Sequence, residues 1–417
     1  MRIRNPLSGL PREVSILVVI AFLVALGFGI VAPAIPLFAR QFGVSYFAVG
    51  AVISAFAFMR FISALGAGAI VDRLGERLVL TTGVWIVAVS SALAGLAQTY
   101  AQLLLLRGIG GVGSAMFTVS ALGLLLRSAG DDQRGRAAGV FQGGFLLGGI
   151  SGPALGGLIG AYSVRATFFI YAGMLIIAGI FAITALRNST TAQRPAGGTP
   201  NKAERGLAPL FVALRNRSFV TAMVINLGNG FASFGLRASL VPLFVVEALL
   251  KGPLLAGIGF FVSAGVQAIL LIPAGRLSDE RGRKPALVCG TGAVTIGMLI
   301  LASSATPAVF LLGMALLGVG SAFMGSAPAA VVGDVSPARG GTVVAAFQMA
   351  SDFGAITGPL IAGWLVSQAG YPIAFSAGAA VAAFGLLLAI SMQETHKSAR
   401  KQGAPIPATD DSTGEIT

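Results

Sequence analysis

Long apolar stretches alternate with short polar connections along nearly the whole chain. Twelve stretches approach or exceed the roughly 20 mainly apolar residues that a helix needs to cross a bilayer. They lie near residues 14–38, 45–71, 78–97, 101–127, 137–161, 167–186, 219–246, 253–276, 286–304, 308–332, 341–367 and 373–391. The strands of a membrane barrel would be shorter and would alternate between apolar and polar positions. The pattern therefore predicts an all-α integral membrane protein with twelve transmembrane helices.

The composition agrees with this class and argues against several others. Of the 417 residues, 55% are hydrophobic and 10% are charged, whereas soluble domains carry about 25% charged residues. Many of the 58 glycines lie inside the apolar stretches, where small residues let membrane helices approach closely. The single cysteine, Cys289, allows no internal disulfide, and the single histidine, His396, lies in a polar tail. We expect neither a metal site nor another cofactor.

The net charge of +13 indicates membrane topology rather than a nucleic-acid partner, because the basic residues lie mainly in the short connections. Lys and Arg concentrate in the cytoplasmic loops of membrane proteins. With both termini cytoplasmic, most of the 28 Lys and Arg residues fall on that side, and Arg40, Arg165 and Lys251 fall outside. The first stretch is too long for a typical signal-peptide core, so we interpret it as a retained span. We expect a multi-pass protein of a prokaryotic plasma membrane.

The two halves of the chain repeat each other with an offset of 206 or 207 residues. Residues 68–75 recur as 275–282, residues 111–115 as 318–322, and residues 148–153 as 354–359. The repeat predicts two pseudo-symmetric six-helix bundles, residues 1–186 and 218–392. A cytoplasmic linker, residues 187–217, would join them, and a disordered cytoplasmic tail, residues 393–417, would follow. Parallel repeats place a site at the midplane between the halves, and rocking exposes it to one side at a time.

The loop after the second span carries residues that suit a conformational switch. Gly68 and Gly75 permit close approach and a tight turn. Asp72 could face the N-terminus of span 11, where the helix dipole is positive, and Arg73 and Arg77 could pair with acids of neighbouring spans. Such contacts would hold one side shut and break on rocking; the alternative is a solvated loop that only sets topology. The second copy supplies Gly275, Asp279, Gly282, Arg283 and Lys284.

Both loops resemble the loop signature of the major facilitator superfamily, whose Asp and basic neighbours act in the conformational switch. The first copy has Glu76 where that family prefers a basic residue, and the second has Glu280 where Arg or Lys is usual. The resemblance covers nearly the whole chain, through the twelve spans and the repeat. It implies the family's fold and a transport role, and we therefore expect no enzymatic activity.

The fifth predicted span carries a stripe of glycines beside a proline. Gly148, Gly152 and Gly156 lie four residues apart and share one helix face, where another helix can pack at backbone distance. Pro153 leaves a carbonyl without its helical donor, so the helix can bend there. Together with Gly157, this pattern resembles the fifth-helix signature of the drug:proton antiporters within the superfamily, which favours export over import. Ordinary tight packing is the alternative.

Ionisable groups inside a bilayer are costly, so the deep ones are functional candidates. Arg107 in span 4 resembles the arginine of the antiporters' fourth-helix signature, which is linked to proton coupling. Asp352 in span 11 is the clearest deep acid, and buried carboxyl groups often bind and release protons at functional sites. We predict that both residues take part in proton coupling. A fixed ion pair with Arg60 or Arg107, or a surface position, remains open for Asp352.

A polar crevice between the halves is expected to bind the substrate. Its predicted lining consists of polar or aromatic residues within the spans: Arg60, Gln142, Phe145, Asn226, Asn229, Gln267 and Gln348. The amides could equally hold helices together. Phe28, Phe234 and Phe353 could join the lining, although core or lipid-facing packing is the commoner role. Arg237, toward one end of span 7, is expected only to snorkel to the surface.

The sequence thus predicts a monomeric secondary transporter that exports a small lipophilic organic compound in exchange for protons, by alternating access. We expect a neutral or anionic substrate, because the predicted crevice has more arginine than acid. Export of sugars or metabolites, proton symport for uptake, and a membrane-embedded sensor or scaffold are the alternatives. The expected partners are the small-molecule substrate, protons and the lipid bilayer.

Overall fold

The computed structural model describes residues 10–129, 133–187, 208–304, 306–335 and 341–395, and these ranges contain helices but no strand. The first half of the fold consists of spans 1 to 6, which run over Arg12–Arg40, Tyr46–Leu74, Glu76–Gly95, Tyr100–Ser128, Arg134–Tyr162 and Val164–Ala185. The second half begins with spans 7 to 10, over Arg217–Ala248, Pro253–Glu280, Arg283–Ala302 and Pro307–Val335. Spans 11 and 12 are the two arms of Gly341–Ser391. A short helix, Ala208–Leu214, precedes span 7.

The boundaries follow local chemistry that the sequence carries. The Ser45 side chain accepts from the Ala48 amide at the start of span 2, and Thr99 and Gln102 form a capping box at the start of span 4. Gly370, with φ 81°, divides spans 11 and 12 at a position that few residues with a side chain adopt. The predicted twelve-helix membrane fold is confirmed, and the span ends agree with the predictions to within about four residues, the usual uncertainty of such boundaries.

Span 7 departs from a regular α-helix in a way that its sequence pattern did not predict. Residues Gly230–Arg237 and Phe244–Ala248 form π-helical turns on either side of the α-helical piece Ala238–Leu243. A π-turn adds a residue to the turn and so rotates the side chains that follow it. The direction of Arg237 therefore could not be read from α-helical periodicity.

The two halves are built alike, as the repeat predicts. Span 5 crosses span 1 where Gly152 meets Gly29, and span 11 crosses span 7 where Gly358 meets Gly235. Both residues of the second crossing follow those of the first by 206 positions. The predicted bounds of the two bundles remain predictions, because most of the predicted linker and tail lie outside the described residues.

The halves meet at one end of the molecule, which we call the Arg40 end; the opposite end is the Asp72 end. Span 2 runs antiparallel to span 11, and Gly50 lies against the Pro359 carbonyl. The equivalent Gly257 of span 8 lies against the Pro153 carbonyl of span 5. These glycines admit the neighbouring backbone because they lack a Cβ, so both crossings close the Arg40 end tightly.

The halves separate toward the Asp72 end. A Cβ at Gly66 or Gly68 of span 2 would meet no heavy atom within 4 Å in the described part of the chain, and the same holds at Gly139 of span 5 and Gly275 of span 8. The Val344 side chain of span 11 is exposed. A cleft therefore opens between the halves at the Asp72 end.

Candidate functional site

An ion pair joins the halves at the depth where their contacts end. The Arg60 guanidinium of span 2 donates to the Asp352 carboxylate of span 11, with 2.6 Å between Nη2 and Oδ1. Closer to the Arg40 end, the Ser54 hydroxyl donates to the Ile356 carbonyl at 2.6 Å. The Arg60 side chain keeps 34% of its surface exposed and that of Asp352 keeps 18%. The structure therefore pairs Asp352 with Arg60 at the edge of the cleft.

The three glutamines predicted to line the crevice are exposed or partly exposed. Gln348 lies four residues before Asp352 on span 11, so both are on one helix face, and Gln348 is exposed. Gln142 of span 5 is exposed as well, and Gln267 of span 8 is partly exposed. None of the three amides has a hydrogen-bond partner among the described residues.

The predicted asparagines have partners within the second half. The Asn226 amide is buried and donates to the Phe347 carbonyl at 2.8 Å, so it joins span 7 to span 11. Asn229 accepts from the Ser233 hydroxyl and, with Thr291 of span 9, lines a small pocket within the second half. For Asn226, the helix-joining interpretation is the one the geometry supports.

The predicted aromatic residues divide between core and surface. Phe145 packs against Phe117 and Phe141, and Phe28 stacks on Phe56. Phe353 is 54% exposed. The side chain of Phe234 lies outside the described part of the structure.

Arg107 is buried at 3% exposure within the first half and has no acid beside it among the described residues. Its guanidinium carbon lies 4.4 Å from the centre of the Phe56 ring, a cation–π arrangement. Its Nε has no hydrogen-bond partner, and within the described ranges it makes neither a hydrogen bond nor an ion pair. The structure therefore does not bring together Arg107 and Asp352, the two residues predicted for proton coupling.

Arg237 points into the protein, so the prediction that it only snorkels is wrong. Its Nη1 donates to the Ser263 hydroxyl of span 8 at 3.1 Å and lies 3.4 Å from the Ser321 hydroxyl of span 10. Its Nε is buried without a partner in the described part of the chain. The π-turn that ends at Arg237 explains the difference from the α-helical expectation.

The glycine stripe of span 5 packs against span 1 inside the first half. Gly148 and Gly156 lie against the Phe22 and Ile30 carbonyls, and Gly152 lies between them against Gly29. The Pro153 ring also lies against Gly29, whereas the Pro153 carbonyl and Gly157 lie against Gly257 of span 8. Span 5 thus joins its own half through one face and the opposite half through another.

Each predicted switch loop contributes one residue to an ion pair at equivalent positions of the two halves. The acid and the base are exchanged between the two pairs. Glu76, which is 1% exposed, pairs with Arg127 at 2.5 Å. The positions 207 residues later hold Arg283 and Asp334, which pair at 3.0 Å. The first half therefore keeps this ion pair, with the acid and the base exchanged between the two positions.

The other residues of the switch loops make contacts within their own halves or none. Gly75 and Gly282 turn the chain with φ 82° and 111°. Arg77 donates to the Ile183 carbonyl at 3.2 Å, while Asp72 and Arg73 are exposed and make no hydrogen bond or ion pair in the described part of the chain.

In the second loop, Arg283 also pairs with Asp279 at 2.6 Å. The Arg283 and Lys284 amides donate to the Glu394 carboxylate, an acid at a helix N-terminus. With the Asp72 end open, the predicted contacts of Asp72 and Arg73 with the opposite half are not formed among the described residues.

A cluster at the Arg40 end, made of Arg40, Tyr46, Glu247 and Tyr371, was not recognised from the sequence. Glu247 of span 7 pairs with Arg40 of span 1 at 3.0 Å and accepts from the Tyr46 and Tyr371 hydroxyls at 2.5 and 2.7 Å. One signal was available: Arg40 and Glu247 are 207 residues apart, the offset of the repeat. Equivalent positions near a pseudo-twofold axis face each other, and here their charges are opposite.

Comparison with known proteins identifies the family to which this architecture belongs. The sequence model described as the Major Facilitator Superfamily matches residues 17–260 and, a second time, residues 223–412. The chain belongs to the Major Facilitator Superfamily. This superfamily consists of transporters rather than enzymes, and the chain is a multi-pass membrane transporter.

Several curated members of the superfamily are similar in sequence. An uncharacterised MFS-type transporter of Methanocaldococcus jannaschii is 24% identical over 87% of this chain and 93% of its own length. The multidrug resistance protein MdtG of Proteus mirabilis is 26% identical over 88% of this chain and 92% of its own length. The quinolone resistance protein NorA of Staphylococcus aureus is 26% identical over 54% of this chain and 56% of its own length.

Solved structures of the superfamily share the fold. A point mutant of the nucleoside transporter NupG superposes with a TM-score of 0.72 at 19% identity, over 91% of this chain and 99% of its own. A bacterial homologue of the human lysosomal transporter Spinster superposes with a TM-score of 0.73 at 16% identity, over 91% of this chain and 94% of its own.

Proposed function

We propose that this superfamily member exports small lipophilic organic compounds in exchange for protons, by alternating access and as a monomer. The observation that carries the proposal is the Arg60–Asp352 ion pair. It combines the deep acid that proton coupling needs with a contact between the two halves. It also lies where the closed Arg40 end gives way to the open cleft.

The orientation of the cleft follows from the distribution of basic residues. Among the described residues, the Asp72 end carries most of the Lys and Arg residues that lie outside the spans or at their ends, so it faces the cytoplasm by the positive-inside rule. The Arg40 end then faces outward. A cleft that is closed outside and open inside is the state in which an exporter loads its substrate.

Proton coupling acts through the charge of Asp352. Its ion pair with Arg60 holds spans 2 and 11 together only while the carboxylate is ionised. A proton on Asp352 removes that attraction and favours separation of the spans at the outer side. Asp352 takes up its proton from outside in the state that is open outward; after the halves return to the state that is open inward, the proton leaves through the cytoplasmic cleft and the ion pair re-forms. Each cycle would thus exchange protons for substrate.

Two gates complete the cycle. The cluster of Arg40, Tyr46, Glu247 and Tyr371 holds the outer side shut in the present state. Asp72, Arg73 and the basic residues of the second loop are available to meet the opposite half when the cytoplasmic side closes. Gly50 and Gly257 allow the outer crossings to re-form at backbone distance.

The relatives support drug-like substrates. MdtG is named for multidrug resistance and NorA for quinolone resistance. The fifth span, from Gly148 to Gly157, resembles the antiporter signature that favours export. Lipophilic organic compounds are therefore the substrate class we propose.

The direction of transport is testable in everted membrane vesicles whose lumen is acidified. We expect the vesicles to accumulate a compound against which overexpression protects cells, and to stop when the pH gradient is collapsed. Accumulation by right-side-out vesicles driven by an inward proton gradient would instead indicate symport for uptake.

The role of Asp352 is tested in the same vesicles. Asp352→Asn is expected to abolish gradient-driven accumulation while leaving membrane insertion intact, because an amide cannot bind and release a proton near neutral pH. Gln368→Asn, an exposed position of the same span near the Arg40 end and outside the predicted crevice, is the control. Wild-type accumulation by Asp352→Asn would show that this carboxylate does not couple transport to protons.

A further inference from the structure

Arg237 is a cation inside the membrane-spanning region without an anion beside it among the described residues. Its contacts are the hydroxyls of Ser263 and Ser321, and its Nε is buried without a partner. It makes no ion pair with any residue that the structure describes. A hydroxyl satisfies a donor but cannot neutralise the positive charge. Charged groups at this depth are costly unless they are paired or serve a function.

The position is not one that the fold needs for packing. The equivalent residue of the first half, 206 positions earlier, is Val31, which packs into the core at 0% exposure. An apolar side chain therefore suffices at this place in the architecture. The second half thus carries a charged residue where the first half carries an apolar one.

The surroundings of Arg237 mirror those of Arg107 in the first half. Arg107 lies over Phe56 of span 2, and Arg237 contacts Ser263, the equivalent residue of span 8. The aromatic ring of the first site is thus replaced by a hydroxyl in the second. The first site shields its cation, whereas the second surrounds it with hydrogen-bonding groups.

The site around Arg237 is not fully enclosed by the protein. Arg237 and Ser321 are partly exposed, while Ser263 is buried at 1% exposure. The π-turn Gly230–Arg237 directs the side chain toward spans 8 and 10. π-Turns within α-helices are frequent at functional sites.

We propose that Arg237, Ser263 and Ser321 form the subsite that binds the anionic group of the transported compound, and that this group is a carboxylate. The planar guanidinium offers parallel donors that match the two oxygens of a carboxylate. Both hydroxyls accept from the guanidinium and orient it, and the Ser263 hydroxyl has a hydrogen of its own to donate. This inference rests on the proposed export function and narrows its substrates to lipophilic organic acids.

The test compares two probes that differ only in charge, 1-naphthaleneacetate and 1-naphthaleneacetamide, by calorimetric binding to the purified full-length protein in detergent. Wild type is expected to bind the carboxylate at least about tenfold more tightly than the amide, because hydrogen bonds between charged groups are the strong ones. Arg237→Gln is expected to lose that difference while still binding the amide. Arg165→Gln, which removes an arginine that contacts the Ala97 carbonyl of its own half, is the control and should bind like wild type.

A second variant keeps the proposal testable if Arg237→Gln does not fold. Ser321→Asp places a fixed carboxylate beside Arg237 and is expected to weaken carboxylate binding at least about tenfold without changing amide binding. Equal binding of the two probes to wild type, no carboxylate binding at millimolar concentration, or unchanged discrimination in either variant would overturn the subsite.

The subsite and the proposed export function can fail separately. Gradient-driven export of a neutral compound by both wild type and Arg237→Gln, with no preference for the carboxylate, would refute the subsite alone. Carboxylate preference that depends on Arg237, without gradient-driven export of any compound, would refute the export function and keep the subsite.

Discussion

Arginines carry the positive charge inside this bundle, and their partners differ between the interface and the interior. Arg40 and Arg60 pair with acids of the opposite half. Arg107 and Arg237 lie inside their own halves and have no acid partner among the described residues. Ion pairs that cross the interface must break when the halves rock, so their charges contribute to the conformational equilibrium. The described contacts of Arg107 and Arg237 lie within their own halves, so rocking of the halves would not break them.

Glu247 holds the Arg40 end shut, and its neutralisation should open that end. Glu247→Gln removes the charge that pairs with Arg40, and a hydrogen bond to a charged group contributes about 1.5–3 kcal/mol. We expect at least about a tenfold shift toward the state open at the Arg40 end. Electron-spin distances between labels at residues 43 and 251, with Cys289 replaced by serine, measure this shift.

Arg165→Gln is the control for Glu247→Gln, because Arg165 lies at the same end and contacts only its own half. It should leave the label distances unchanged. An unchanged distance distribution in Glu247→Gln would mean that backbone packing alone closes this end.

The ion pairs Glu76–Arg127 and Arg283–Asp334 occupy equivalent positions with acid and base exchanged. We therefore predict that the acid and the base of the first pair can also be exchanged. Glu76→Arg alone places a second cation beside Arg127, and Arg127→Asp alone places a second acid beside Glu76, so each should lower the yield and the unfolding temperature. The double variant copies the arrangement of Arg283 and Asp334 and should recover most of the loss. A double-mutant cycle should give a coupling of about 1–3 kcal/mol; additive losses would show that the pair contributes nothing.

At the scale of the helix, glycines decide which faces of spans 5 and 11 can meet another backbone. Gly152 admits span 1 at a distance that no side chain permits, because a Cβ there would lie 2.6 Å from the Gly29 Cα. Gly149, on another face of the same helix, meets no heavy atom within 4 Å in the described part of the chain. The same residue type therefore has two different roles within one turn of the helix.

This contrast yields a matched pair of substitutions. Gly152→Ala should lower the free energy of unfolding by about 1–3 kcal/mol, because rigid backbone on both helices must move to admit a methyl group. Gly149→Ala should be neutral or stabilising by up to about 1 kcal/mol, since alanine is the better helix former. Unfolding midpoints in detergent measure both; equal effects would contradict the packing argument.

At the scale of the whole molecule, two rigid halves should rock about the level of the Arg60–Asp352 ion pair. Labels at residues 43 and 251 report on the Arg40 end, and labels at residues 73 and 281 report on the Asp72 end. We expect a transported compound at acidic pH to lengthen the first distance and shorten the second, because one rotation moves both ends. Changes of the same sign at both ends would indicate general loosening instead of rocking.

Fold class and span boundaries could be predicted because both depend on local features of the chain. Apolar length determines which segments enter the bilayer, and caps such as Ser45 and Thr99 mark where helices start. The pseudo-symmetry was also visible, in the recurrence of the loop around Asp72 as the loop around Asp279. These features need no knowledge of which helices touch.

The candidate site was only partly predictable, because its partners are far apart in the chain. Arg60 and Asp352 were both recognised as deep charges, yet their pairing depends on how span 2 crosses span 11. The direction of Arg237 depends on a π-turn that no hydrophobic period records. Glu247 was missed because it lies at the end of a span, where acids are common. Its role becomes recognisable only once the structure places Arg40 opposite it.

The sequence by itself determined a twelve-span membrane protein of two repeated halves, since bilayer insertion responds to composition over about 20 residues at a time. Only the tertiary structure decided which end of the molecule is closed, which arginines have acidic partners and which glycines touch another helix. Those outcomes depend on helix crossings between residues that are far apart in the chain. Inside a membrane such crossings are selected by close backbone packing and by the pairing of a few charges. A glycine stripe such as that of Gly148, Gly152 and Gly156 marks a packing face but not the helix that meets it.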